Sequence, residues 1–323
     1  GPLGTELIFY DFEDNVGIGG TTTNQGSGGA TYNGTYTGGA SSTAAVVKFG
    51  TRSGTFSGAG DYVKMYYGTT TVPTTQSISI SMWVWKKEAS GCGGADDHLF
   101  GVSGPPVNTR FYLRCVNATS GWGMRFGGSA ANNATTTTTN QSWQHLAMVF
   151  DATTDIATLY VNNVVRATSS VVSAFTLGDN FFVGNFNDRI NNTFNEGSNA
   201  YIDNFGLYTS ALSAGNVATL YNLGTTPGQP TGLTATPYEN KVFLTWTSPG
   251  GTFDDYKVEY KLTSEPTTWT TFSDGVSTVA STTVTGLTNG TAYYFVVRVL
   301  DGLGNSIATS TQVSSTPVAA GGG

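Results

Sequence analysis

The sequence predicts an all-β chain built as two sandwich domains in tandem. Three observations point there. Segments with apolar residues at every second position recur along the chain, the period of a half-buried strand. Only 11% of the 323 residues are charged while 43 are Gly, a composition that favours loop-rich β structure over helices. Finally, "NLGTTPGQPTG" at 222–232 places Gly224, Pro227, Gly228 and Pro230 close together, the punctuation of a linker. The boundaries read from this are a first domain over 5–224, a linker over 225–229, a second domain over 230–317 and a Gly-rich tail over 318–323.

The elements follow in order. In "SISISMWVW", Ile78, Ile80, Met82 and Val84 share one face, and Ser79, Ser81, Trp83 and Trp85 share the other. Such a strand either packs on both faces or lines a groove with one. Strands are predicted at 98–102 and 110–115, then in "QHLAMVFD" and "IATLYVNNVVRA". Within the last, Asn162–Asn163 sits where a tight hairpin turn needs positive φ, which Asn tolerates. "NFFVGNF" and "AYIDNFGLY" complete the set. Only "SALSAGNVATLYNL" reads as helix, with Ser213 as its cap. Many strands with one short helix fit a sandwich or jelly roll.

Composition also excludes functions. A net charge of −7 and a pI near 4.7 leave no basic patch to neutralise phosphates, so nucleic acid is not a partner. Lys86–Lys87, the one adjacent basic pair, reads as a solvated strand end. No apolar run reaches the ~18 residues of a membrane helix, and no signal peptide is visible. The opening "GPLG" reads as a protease scar or a native start. Two histidines, His98 and His145, and two cysteines in different segments make no zinc-type set. Cys92 precedes one predicted strand and Cys115 ends the next, so a disulfide across that hairpin and two buried thiols both stay open. No Gly-x-Ser-x-Gly elbow, phosphate loop or His-Glu-x-x-His helix occurs. Asp96 and Asp97 point to opposite faces if extended, a poor catalytic pair. They read as solvated loop acids.

The order "LIFYDFED", "KFGTRSGTFSGAGDYVKM", "SISISMWVW", "SWQHLAMVFDATTDIATLYVNNV" and "YIDNFGLYTSALSAGNVATLY" resembles the laminin G-like, concanavalin A-like lectin/glucanase superfamily over about 5–224. The resemblance implies a jelly roll whose last long strand pairs near the N-terminal strand, followed by a short helical turn. Residues 230–317 resemble a fibronectin type III domain through "QPTGLTATPYENKVFLTWTSP", "DYKVEYKL" and "TTVTGLTNGTAYYFVVRVLDGLGNS". That resemblance makes Trp246 and Tyr293 core residues, with the Tyr293 hydroxyl bonded to nearby backbone, and gives the domain a spacer role. Glucanases of the superfamily carry closely spaced acids on one strand face. No Glu-x-Asp-x-Glu run exists here, so a non-catalytic domain is expected.

Two sites are expected. Asp203 lies between apolar Ile202 and Phe205, where a bare carboxylate is costly unless paired or bound to a cation. The resemblance implies a structural Ca²⁺ between the N-terminal strand and this segment, with Asp11 or Glu13 as further ligands. The alternative is that Asp203 accepts backbone hydrogen bonds. The second site is for a surface glycan or polysaccharide. Trp122, between two glycines, is expected at an exposed hairpin tip, where its indole face would stack on a sugar. Asn185, Asn187, Asp188, Arg189 and Asn192 would supply polar contacts from one long loop, with ordinary turn chemistry as the other reading. The function expected is a non-catalytic glycan-binding or adhesive module of an extracellular or virion-surface protein. The alternative is a structural or decoration subunit of a virion or filament, whose partners are other subunits.

Overall fold

The structure is a computed structural model of the full chain. It describes all residues except 59, 67–69, 73–74, 93–95, 105–108, 119, 128–131, 171–174, 178–179, 187–196, 225–226, 250–252, 266, 301–303 and 320–323. About half of the chain is strand and 5% is helix. It divides into two compact units, Gly1–Tyr221 and Asn222–Gly323.

Two large antiparallel sheets form the body of the first unit, beside a two-stranded one of Thr70–Val72 and Phe175–Leu177. One runs Val164–Ser170, Ile156–Val161, Trp143–Asp151, Ile78–Lys86, Asn199–Tyr208, Ser53–Ser57, Ser41–Thr43. The other runs Asn132–Thr137, Gly121–Gly127, Thr109–Val116, Asp97–Gly104, Asn180–Val183, Tyr62–Tyr66, Gly34–Thr37, Thr21–Thr22. Ile8–Tyr10 pairs with Phe205–Leu207, so the N-terminal and closing strands meet as the resemblance implies. Alternation decides what lies between the sheets. Ile78, Ile80, Met82 and Val84 all enter the core. From the opposite sheet, Phe100 reaches Phe205 across the sandwich, at 5.5 Å between centroids. Each such ring, fully buried, contributes about 1.5–3 kcal/mol.

A bulge after Asp203 resets the period of the closing strand. Asn204 takes φ 47°, and the register with the Ile78–Lys86 strand shifts between Asp203 and Gly206. Ile202 and Phe205 therefore both face the core although three positions apart. At the Asn162–Asn163 turn both residues have positive φ, 50° and 62°, as the hairpin requires. The Ala214–Leu223 helix starts with a reciprocal cap. Ser213 Oγ accepts from Asn216 N at 3.1 Å, and Asn216 Oδ1 accepts from Ser213 N at 3.1 Å. Upstream, Ser79 Oγ donates to Ser210 O and accepts from Leu212 N, which ties this segment to the outer side of the first sheet.

The second unit packs a three-stranded sheet (Thr231–Tyr238, Lys241–Thr247, Ser281–Thr285) and a five-stranded one around Asp255–Leu262 and Tyr293–Leu300. Trp246 and Tyr293 are both core residues. The Tyr293 hydroxyl accepts a bond from Thr288 N at 3.1 Å, the corner the sequence implies. Among the described residues no helix is long and apolar enough to cross a membrane.

Candidate functional site

The outer face of the first sheet holds two adjacent cross-strand rows. In the first, His145 lies opposite Trp83, and Trp83 opposite Asp203. In the second, Trp143 lies opposite Trp85, Trp85 opposite Tyr201, and Tyr201 opposite Thr55. Side chains facing one another across strands are near enough to interact. The two rows are treated differently by the rest of the chain.

The first row is covered. Tyr221 of the helix stacks on Trp83 at 5.9 Å and 11°. Phe49 meets it edge-on at 6.1 Å, and Lys48 Nζ lies 4.3 Å from the ring centroid. Trp83 is left 4% exposed and His145 fully buried. His145 Nε2 bonds Ser81 Oγ at 2.8 Å, and its Nδ1 has no partner among the described residues. Burial pushes this imidazole down to about 3, so it is neutral in the fold.

The second row is open. Trp85, Trp143 and Tyr201 are all half-buried. Trp85 and Tyr201 line a groove of about 420 Å³ with Val46, Lys87 and Gln141. Trp143 backs Trp85 edge-on at 6.0 Å. The Lys87 ammonium sits 4.5 Å over the Tyr201 ring. It donates to Thr55 Oγ1, Phe56 O and Ser57 Oγ at 2.7–2.9 Å, so it holds the tyrosine in place. Burial pulls this ammonium below its usual range. None of these lining residues carries a carboxylate. The groove offers an indole face, a phenol, an amide and an apolar wall, which suits a molecule with flat C–H faces and a polar rim.

The residues expected to bind glycan lie elsewhere. Trp122 is fully buried in the core, and its Nε1 donates to Gln144 Oε1 at 3.3 Å. It occupies a strand opposite Cys115. The turn falls earlier, where Ser120 has φ 50° and bonds back to Asn117 O. The flanking glycines belong to the strand and not to a tip. Asn185 is also buried, its Oδ1 accepting from Phe186 N at 2.7 Å while Phe186 stacks on His98 at 4.8 Å. Asn187, Asp188, Arg189 and Asn192 lie outside the described residues.

Asp203 is satisfied by peptide N–H groups. Its Oδ2 accepts from Lys48 N and Phe49 N at 3.0 Å each, and its Oδ1 from Asn204 N at 2.9 Å. Glu13 holds the next turn of the same segment, accepting from Thr51 N, Thr51 Oγ1 and Arg52 N. Gly50 has φ +59°, and a Cβ there would fall 2.2 Å from Glu13 Oε1, so the close approach requires glycine. Asp11 Oδ1 accepts from Glu13 N at 3.2 Å. Burial raises Asp203 to about 7 against the lowering effect of its N–H donors. A ring of N–H donors suits an anion and opposes a cation. Among the described residues no group of three or more His, Cys, Asp or Glu could hold a metal. This donor set does not fit the Ca²⁺ the resemblance implies.

Two further readings change. Lys86 is not a solvated strand end: it continues the inward face of Ile78–Val84, is fully buried, and contacts Asp97. Asp97 is accordingly no loop acid in water. Asp96 pairs with Arg114 and accepts from Asn117 N at 2.8 Å. Cys92 and Cys115 are joined in a disulfide, with Cα atoms 5.7 Å apart.

A jelly-roll sandwich followed by a smaller β-sandwich defines a lectin-like domain with an immunoglobulin-like companion. A family model for the concanavalin A-like lectin/glucanases superfamily matches residues 57–218, and one for the fibronectin type III domain matches 228–316. The chain belongs to the concanavalin A-like lectin/glucanase superfamily and carries a fibronectin type III domain after it. Among solved structures, the botulinum neurotoxin serotype D binding domain is similar at 10% identity and TM-score 0.51, covering 93% of this chain and 71% of that one. Domain 4 of AbnA, an extracellular arabinanase from Geobacillus stearothermophilus solved with arabinotriose, is similar at 19% identity and TM-score 0.48, covering 67% and 98%. Trypanosoma rangeli sialidase matches at 15% identity and TM-score 0.46, covering 66% of this chain and 32% of the sialidase. A search of curated protein sequences finds no match.

Proposed function

We propose that the first domain is a non-catalytic glycan-binding module of an extracellular or surface protein, and that the fibronectin type III domain is its spacer. The observation that carries this reading is the half-open Trp85–Tyr201 pair in its groove, backed by Trp143. An adjacent tryptophan on the same strand face is fully covered, so cover was available. Exposed aromatic surface of this kind marks an interaction site. Lys87 occupies one face of Tyr201, which leaves Trp85 as the stacking platform. A shallow groove with one platform implies micromolar to millimolar affinity, about −8 to −4 kcal/mol.

Calorimetry or affinity electrophoresis against a broad panel of polysaccharides tests the proposal. Trp85→Ala is expected to weaken binding about tenfold or more, since stacked aromatic contacts carry a large share of such energies. The same variant should melt within a few degrees of the parent. Folded protein that binds nothing on the panel would overturn the reading and leave the structural-subunit alternative.

A further inference from the structure

Lys86 ends the inward face of the Ile78–Lys86 strand, and Asp97 opens the Asp97–Gly104 strand of the opposite sheet. The Lys86 ammonium is fully buried and touches Asp97 Oδ2. Glu88 Oε2 lies 3.0 Å from the same nitrogen. That oxygen is shielded from water and, among the described residues, lacks hydrogen-bond geometry to any partner. It is paired with the amine by charge and lies within reach of its protons. Asp97 lies opposite Cys115, so the cluster sits beside the Cys92–Cys115 disulfide.

One cation here faces two carboxylates where little water enters. Burying charge is costly, and two carboxylates sharing one site favour protonation of one of them. Burial foremost, helped by Glu88 and Asp96, raises Asp97 against the opposing pull of Lys86. A proton passed from the ammonium to Asp97 leaves a neutral amine against a neutral carboxyl. That is the reactive pair for amide formation, and its product removes two charges from the core. The geometry of a nucleophile, an electrophilic carbon and a proton carrier within contact distance supplies the proximity such a step needs.

We infer that Lys86 and Asp97 condense to an intramolecular isopeptide bond, with Glu88 as the proton carrier. Lys86 Nζ adds to Asp97 Cγ, forming the C–N bond. Glu88 takes a proton from the nitrogen and returns it to the departing hydroxyl. The C–O bond breaks and one water leaves, so amine plus carboxylic acid gives amide plus water with no oxidant or reductant. The bond joins the two sheets covalently beside the disulfide. A module exposed to proteases or pulling forces outside a cell would gain from that.

Intact-mass measurement on the full chain, denatured and reduced, tests this directly. The expected mass is one water below that of the sequence with two free thiols, and a digest should yield a branched peptide joining Lys86 to Asp97. Lys86→Arg keeps a cation but cannot form this amide, and it should show the full sequence mass. Glu88→Gln should retain the water in most molecules. A parent chain with the full sequence mass overturns the inference, as does a missing water that maps to another residue pair. A Glu88→Gln chain that still lacks the water overturns the role given to Glu88.

Discussion

His145 makes the stability of the first domain depend on pH in a direction the structure dictates. The ring is fully buried, bonded among the described residues only through Nε2 to Ser81, and pushed down to about 3 by burial. In the unfolded chain it titrates near 6.5. The folded state therefore binds fewer protons between those values. Stability from this residue is complete above about pH 6.5 and is lost as pH falls towards the folded value. At pH 5 the gap is about 1.5 units, or about 2 kcal/mol at 1.36 kcal/mol per unit. This figure depends little on the folded value, provided that lies well below 5. For a domain of this size it corresponds to about 4–8 °C in Tm. Asp203 acts in the opposite sense. Its raised value, about 7, means its contribution is full below about pH 4 and is lost as pH rises through 7. The raw profile therefore mixes both, and a difference measurement separates them. Urea unfolding of the parent and of His145→Gln, at about pH 7.5 and pH 5, cancels Asp203. The parent's advantage over the variant should shrink by about 2 kcal/mol at the lower pH. An equal difference at both pH values would refute the reasoning. So would an imidazole resonance assigned to His145 that titrates near 6.5 in the folded protein.

Three more outcomes follow from buried groups. Trp122→Ala should destabilise the first domain by about 3–5 kcal/mol, read by denaturant unfolding, because the indole fills the core beside Cys115; a change under about 1 kcal/mol would place it at the surface after all. Tyr293→Phe should cost the second domain about 1 kcal/mol by removing the acceptor for Thr288 N; an unchanged midpoint would show that bond to be without net worth. Exhaustive chelation should leave the first melting transition in place, whereas Asp203→Ala, which strands three peptide N–H groups, should lower stability by about 3 kcal/mol. A melt that falls with chelator and recovers with Ca²⁺ would reverse the assignment at Asp203.

Much of the fold was legible because it is written in local periods. The alternation of Ile78 to Val84, the Asn162–Asn163 turn, the Ser213 cap and the Tyr293 corner each depend on residues within a few positions of one another. The sites were less legible because they depend on register between distant segments. Asp203 finds its donors at Lys48 and Phe49, about 155 residues earlier, and no local pattern announces a carboxylate held by remote peptide groups. Trp122 misled because glycine marks both turns and strand positions against bulky neighbours. Lys86 was within reach of the sequence. It is the next inward position after Val84, so strict alternation places it in the core and calls for an acidic partner there.

Trp83 and Trp85 carry the argument furthest. They are two residues apart on one face of one strand, with the same side chain and the same two neighbouring strands. Intrinsic propensity cannot separate them. What separates them is where the covering segments stop: the Lys48–Phe49 turn, fixed by Asp203, and Tyr221 of the helix both close over Trp83. The next row is left as a groove whose tyrosine is held by a lysine with its donors already spent on Thr55, Phe56 and Ser57. A sandwich built only for stability would gain by carrying its cover one row further, since burying apolar area contributes about 25 cal/mol per Å². Positions where a fold forgoes such a gain while fixing the exposed side chains in place are where function is to be sought.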